Sequence, residues 1–271
     1  MSRSSVTISL VPEVRGGPFI FWDDLASSIR QAAELGFDGV EVFADGATAL
    51  DAGELLFQLR EHKIALAALG TGAGWVKRKL SLTGPDPATR RRAEEFIGGV
   101  IESAGQLNAP AIIGSMQGRW NDEVDRPTAL GFLRDALNRL GEQARRFGVP
   151  LLYEPLNRYE TNLLTTIADG VEFLQTLSTH NVKLLADLFH MNIEEANIAD
   201  ALRAGKGHIG HVHFVDSNRR PAGRGHIDYA PIAAALRETD YAGFLSAEAF
   251  AYPDPFEAAK QTIATYHKYF G

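Results

Sequence analysis

The chain contains no cysteine, which removes disulfides, thiolate metal sites and cysteine nucleophiles from consideration. It has no apolar run of the ~18 residues that a membrane helix requires. Its first residues, Met1-Ser2-Arg3-Ser4-Ser5, pass straight into Val6-Thr7-Ile8 without the long apolar stretch of a secretory leader. A cytoplasmic protein with no membrane partner is therefore expected. Basic charge is also short. The 27 Lys and Arg stand against 34 Asp and Glu, a formal net charge of −7, which argues against nucleic acid as a partner. No Pro/Gly/Ser-rich linker and no low-complexity segment divides the 271 residues, so a single domain over 1–271 is expected.

What is present is an alternation of short β-rich runs and amphipathic helical stretches. Strands are predicted at 6–11, 38–43, 64–69, 109–114, 150–155, 182–187, 209–216 and 243–248. Between them, Leu130, Leu133, Leu137, Leu140 and Ala144 mark one apolar stripe of a helix. Leu25, Ile29 and Ala32 mark another, with Asp23 or Asp24 as its N-cap and Gly36 as its stop. Strands alternating with helices pair in parallel through right-handed crossovers. Eight such units predict an α/β fold, a single (β/α)8 barrel, with a doubly wound open sheet as the alternative. The connections Gly70–Pro87 and Gly114–Pro127 lack strong periodicity and leave C-terminal strand ends, where barrel enzymes build their sites.

Several signals carry little. Gly70-Thr-Gly-Ala-Gly74 lacks the spacing of a dinucleotide loop, and Trp75-Val-Lys-Arg-Lys79 does not read as a helix start, so a loop is expected there. Arg90-Arg91-Arg92 reads as a solvated helix face. Gly114-Ser-Met-Gln-Gly118 is not a nucleophile elbow, because its serine directly follows the first glycine. His62, His180 and His267 read as surface residues, whereas His190, His208, His211, His213 and His226 crowd together.

The chemistry lies in the last four strands. They run through apolar residues and then present Glu154, Asp187, His213 and Glu248 at their C-terminal ends. A closed barrel places these four on one arc of the rim. Three carboxylates that close cannot all ionise without a cation. One imidazole and three carboxylates suit manganese first, with magnesium or cobalt as alternatives, since zinc takes more nitrogen. His211 lies one layer deeper than His213 and reads as a buried supporting residue.

These residues also carry a resemblance. Glu154-Pro-Leu-Asn-Arg-Tyr-Glu160, Asp187-Leu-Phe-His-Met-Asn-Ile-Glu194, His211-Val-His-Phe-Val-Asp-Ser-Asn-Arg219 and Glu248 in Leu-Ser-Ala-Glu-Ala-Phe resemble the xylose-isomerase-like barrels of the D-tagatose/D-psicose 3-epimerase type. The motifs span most of residues 150–250; over 1–149 the likeness is one of fold. The resemblance implies a divalent-metal site made of Glu154, Asp187, His213 and Glu248, with Glu160, His190 and Arg219 contacting substrate hydroxyls. It also implies C3 epimerisation of a ketose through a cis-enediolate, with Glu154 and Glu248 as the acid/base pair. An inosose dehydratase-like lyase or a hydroxypyruvate isomerase-like aldose–ketose isomerase would use the same metal arc and remains the alternative. An endonuclease-like metal hydrolase needs more histidine ligands and a basic groove, and loss of activity on metal removal would speak against a barrel retained for binding alone. The strand-eight exit, Ala249–Pro253, is aromatic and apolar with no basic residue before Lys260, which favours an unphosphorylated sugar. Arg119 and Arg224 are the residues that could reverse that expectation. A homo-oligomer, dimer or tetramer, is expected.

Overall fold

The computed structural model of the chain describes residues 2–22 and 24–271. Nine parallel strands form one sheet: β1 (Arg3–Ser9), β2 (Phe21–Trp22), β3 (Gly39–Phe43), β4 (Ala65–Gly70), β5 (Ala111–Ile113), β6 (Leu151–Tyr153), β7 (Val182–Asp187), β8 (Ile209–His213) and β9 (Phe244–Ala247). Strand β1 pairs with both β3 and β9, which closes the sheet into an eight-stranded barrel. The short β2 adds to β1 outside that closure and has no counterpart among the eight sequence-predicted strands. The first strand begins three residues earlier than its sequence pattern predicts; the others overlap their predicted spans.

Among the described residues, ten α-helices accompany the barrel: α1 (Leu25–Glu34), α2 (Ala52–Glu61), α3 (Ala73–Arg78), α4 (Pro87–Gln106), α5 (Arg126–Arg145), α6 (Ile167–Leu174), α7 (Leu188–Glu194), α8 (Ile198–Ala204), α9 (Tyr229–Glu238) and α10 (Pro255–Phe270). The predicted stripe of α5 is buried at Leu133, Leu137, Leu140 and Ala144. Asp24 caps α1 by accepting from the Ser27 amide, and Gly36 follows the helix with φ of 88°; Asp23, the other predicted cap, lies outside the described residues. Most of the core lies between barrel and helices, and a small separate cluster of Ala68, Ile112, Leu152 and Leu185 fills the barrel interior. Those four side chains form the floor on which the upper rim rests, one or two residues below the strand ends. Among the described residues, no helix is long and apolar enough to cross a membrane.

Helix α3 corrects the expectation of a loop after Gly70. Local propensity there is poor, but tertiary contacts impose the turn. A Cβ on Gly74 would lie 2.6 Å from Met116 Sδ, so the helix packs against the loop after β5 at a distance only glycine allows. Lys77 pairs with Glu13 at 2.8 Å and Asp45 at 2.6 Å, and Arg78 pairs with Asp45 at 2.6 Å. These pairs tie α3 to the loops after β1 and β3, at the C-terminal mouth of the barrel.

Candidate active site

Glu154 follows β6, Asp187 ends β7, His213 ends β8 and Glu248 follows β9, so four consecutive strands each deliver one polar group to the rim. One ligand atom from each lies within 4.8 Å of every other. His213 Nδ1 is 3.1 Å from Asp187 Oδ2, 3.4 Å from Glu154 Oε1 and 3.5 Å from Glu248 Oε2. Gly114 permits the approach of Glu154, since a Cβ there would sit 2.6 Å from Glu154 Oε2.

Asp187 serves two purposes, which explains the Asp-x-x-His spacing. Its Oδ1 caps α7 by accepting from the amides of Phe189 and His190, and its Oδ2 faces the cluster. The first turn of α7 then carries His190 back over the site. Asn157 Nδ2 donates to His190 Nδ1 at 2.7 Å and to Glu160 Oε1 at 3.0 Å, while its own Oδ1 accepts from the Tyr159 amide. This network leaves the imidazole proton on His190 Nε2. That atom has no hydrogen-bond partner, and it lies 3.7 Å from Glu154 Oε1. Arg219 donates to Glu248 and lies 3.5 Å from Glu160 and 3.8 Å from Asp187. Its guanidinium also covers the Phe189 ring at 4.8 Å. Asp216 builds the loop that presents it, accepting from the amides of Ser217, Gly223 and Ile227. Arg219 itself adopts φ of 57°, a left-handed conformation that Lys63, Lys79, Asn108 and Asp240 share. All seven sequence-predicted site residues thus converge on one place.

The sequence reading missed Glu41, buried on β3. Its carboxylate accepts from both β8 imidazoles, Oε2 with His211 Nε2 at 2.8 Å and Oε1 with His213 Nε2 at 3.2 Å. With Nε2 donating to Glu41, His213 turns Nδ1 toward the three carboxylates. A carboxylate behind a ligating imidazole fixes its tautomer and typically contributes 10–100-fold to metal affinity. Glu41→Gln is therefore expected to weaken divalent-ion binding by about that factor, measured by titration of the metal-free protein. Unchanged affinity would deny Glu41 that part.

With protons alone to balance the cluster, its acids and base shift in opposite senses. Burial pushes the Glu248 carboxyl up to about 7, with Glu154 and Asp187 adding to the effect and His213 and Arg219 opposing it. Burial alone would lower His213, but Glu248 and Glu41 outweigh it and hold its proton well above the usual imidazole range. Asp187 stays below the usual carboxylate range despite its burial, held there by His190, His213 and Arg219. Three buried polar atoms at this one place, Glu154 Oε1, His190 Nε2 and Arg219 Nε, lack any hydrogen-bond partner. Converging carboxylate oxygens, an imidazole nitrogen turned inward and an orphaned acceptor are what a divalent cation requires. The residues fit such an ion.

A cavity of about 470 Å³ opens over the cluster, walled by the segment Val14–Phe19 after β1 as well as by the expected loops after β4 and β5.

The model of the xylose isomerase-like TIM barrel family matches residues 29–269. The chain belongs to that family. A D-psicose 3-epimerase from Agrobacterium fabrum is 33% identical over 226 residues, covering 82% of this chain and 78% of the relative. An L-ribulose 3-epimerase from Mesorhizobium japonicum is 32% identical over 84% of this chain and 76% of its own. A 3-dehydro-D-guloside 4-epimerase from Escherichia coli is 28% identical over 90% and 94%. Among solved structures, an L-ribulose 3-epimerase superposes with a TM-score of 0.81 at 25% identity, covering 99% of this chain and 94% of that one. These similarities make the chain an isomerase-class enzyme of the ketose 3-epimerase type with a site able to hold a divalent metal.

Proposed function

We propose that the enzyme inverts C3 of an unphosphorylated ketose with a manganese ion held by Glu154, Asp187, His213 and Glu248. The observation that carries this reading is the four ligand atoms within 4.8 Å of one another, two of them on carboxylates from the two ends of the arc. The ion, when bound, supplies positive charge beside the substrate oxygens that become negative as the C3 proton leaves. One of Glu154 and Glu248 takes that proton, and the other returns a proton to the opposite face of the flattened carbon. His190 has an unpartnered Nε2–H to donate to a substrate oxygen, Arg219 supplies a second donor, and Glu160 accepts from a hydroxyl. Neither Arg119 nor Arg224, the residues that could favour a phosphate, lines this cavity; its cations are Arg15 and Arg219, and Arg219 is already paired with Glu248, which supports the unphosphorylated substrate.

Turnover in heavy water is expected to place one deuterium at C3 of the product and to leave the ketose formula unchanged. Label at C1 or C2 would indicate an aldose–ketose isomerase, and a product lighter by one water would indicate a dehydratase; either sinks the reading.

A further inference from the structure

Beside the cavity over the metal-ligand cluster lies a second one of about 680 Å³, bordered by the loops after β4, β5 and β6. Ser115, Leu156 and Glu160 line both, so the two are compartments of one site with Glu160 at the passage. The first compartment already has the volume of an ordinary small-molecule pocket, for which ~300–1,000 Å³ is usual. For a ketose held at the cluster, the second compartment, reached past Glu160, is the adjoining space open to a group at the far end.

Two large aromatic side chains remain exposed in that second compartment. Trp75 on α3 is 39% exposed and Tyr159 is 75% exposed. Lys79 holds its ammonium 5.2 Å from the Trp75 ring, and Arg119 Nη1 donates to the backbone carbonyl of Tyr159 at 3.2 Å, which ties the main chain that carries that ring to the loop after β5. Flat apolar faces among hydrogen-bonding groups suit the face of a sugar ring, whose C–H groups stack while its hydroxyls reach the rim. Charge excludes the simplest alternative. Lys79 and Arg119 face Asp86 and Glu160 in the lining, two cations against two carboxylates, so the compartment offers a terminal phosphate no net attraction.

From this arrangement we infer that the second compartment is a subsite for a neutral sugar ring, and that the enzyme's substrates include ketoses carrying a glycosyl group at the end remote from C3. Trp75 and Tyr159 are specificity residues that stack on that ring and touch no reacting atom. The inference rests on the epimerase reading only for its reacting end.

The probe is 6-O-α-D-glucopyranosyl-D-fructose, compared with D-fructose and D-fructose 6-phosphate on the manganese-loaded enzyme. The kcat/KM for the glucosyl ketose is expected to exceed that for fructose by at least about tenfold, the size of one good stacking contact. Trp75→Ala and Tyr159→Ala should each remove most of that advantage while changing fructose turnover less than twofold, and Trp75→Phe should restore part of it. Equal or poorer use of the glucosyl ketose overturns the inference, as does a Trp75→Ala loss shared equally by both sugars. Preference for the 6-phosphate replaces the sugar subsite with an anion site. If no ketose turns over, the epimerase reading has failed on its own. Calorimetric titration with the same disaccharide then decides the subsite: binding weakened about tenfold by Trp75→Ala supports it, and unaltered or absent binding rejects it.

Discussion

Glu154→Gln and Glu248→Gln are each expected to lower epimerisation by at least about 10²-fold, the lower bound for losing a positioned acid or base. Glutamine keeps a carbonyl oxygen for the ion and the shape of the side chain, so metal content at saturating manganese should change little. What it loses is the capacity to carry a proton. The two losses are not equivalent, because the proposed acid and base stand at opposite ends of the arc. In either variant, the remaining carboxylate can still take a proton from the epimer that presents C3–H to it, exchange it with solvent and return it to the same face. Each variant should therefore wash deuterium from heavy water into one C3 epimer with retention and leave the other epimer unlabelled, with the preference reversed between variants. Loss of ion from either variant would attribute the effect to ligation, and exchange of both epimers in one variant would place the second proton carrier elsewhere.

The residues in that experiment were legible without coordinates because they break a local rule. A strand of Leu151-Leu152-Tyr153 or Leu184-Leu185-Ala186 has no packing reason to end on a carboxylate, and four consecutive strands that end on a carboxylate or an imidazole are difficult to explain separately. Glu41 was not legible for the opposite reason. In Val40-Glu41-Val42 the alternation obeys the pattern of a half-exposed strand, with the glutamate turned to water. Closure of the barrel buries both faces, so the valines meet helices and the glutamate meets His211 and His213 across the interior. The Val14–Phe19 wall has no periodicity to read. Helix α3 packs at Gly74 against Met116 and pairs Lys77 and Arg78 with Glu13 and Asp45, contacts that linear spacing does not reveal. Asn157 stood inside a quoted motif, but its hold on the His190 tautomer depends on α7 folding back over the rim.

Raising the pH from about 5.5 to 8.5 is expected to destabilise the metal-free protein, and saturating manganese should reduce or reverse that trend. The sign follows from which state holds more protons. Glu248 titrates at about 7 in the folded chain against 4.5 unfolded, so between those values the folded state is the more protonated. Its contribution is present at low pH and disappears as the carboxyl ionises in place, at a cost of about 3 kcal/mol once pH exceeds 7. His213 acts in the same direction. Its folded value lies well above 6.5, so the stabilisation from its proton is complete below 6.5 and is lost as pH climbs through that higher value. Asp187 and Glu41 are shifted below the carboxylate range, and their contribution fails only in acid, as pH falls through their folded values. For this cluster, the metal-free balance is therefore more favourable at pH 5.5 than at pH 8.5. A divalent ion needs Glu248 ionised and His213 Nδ1 bare, so its binding releases protons and strengthens where the metal-free protein weakens. Thermal melts across this range with a chelator should show Tm falling by several degrees, with a shallower slope in Glu248→Gln, which has no carboxyl to ionise. Calorimetry of manganese binding in buffers of different ionisation enthalpy should register proton release near pH 6.5. A metal-free Tm that is flat or rises between pH 5.5 and 8.5, or binding that releases no proton, would falsify the claim that Glu248 and His213 hold protons where the ion sits.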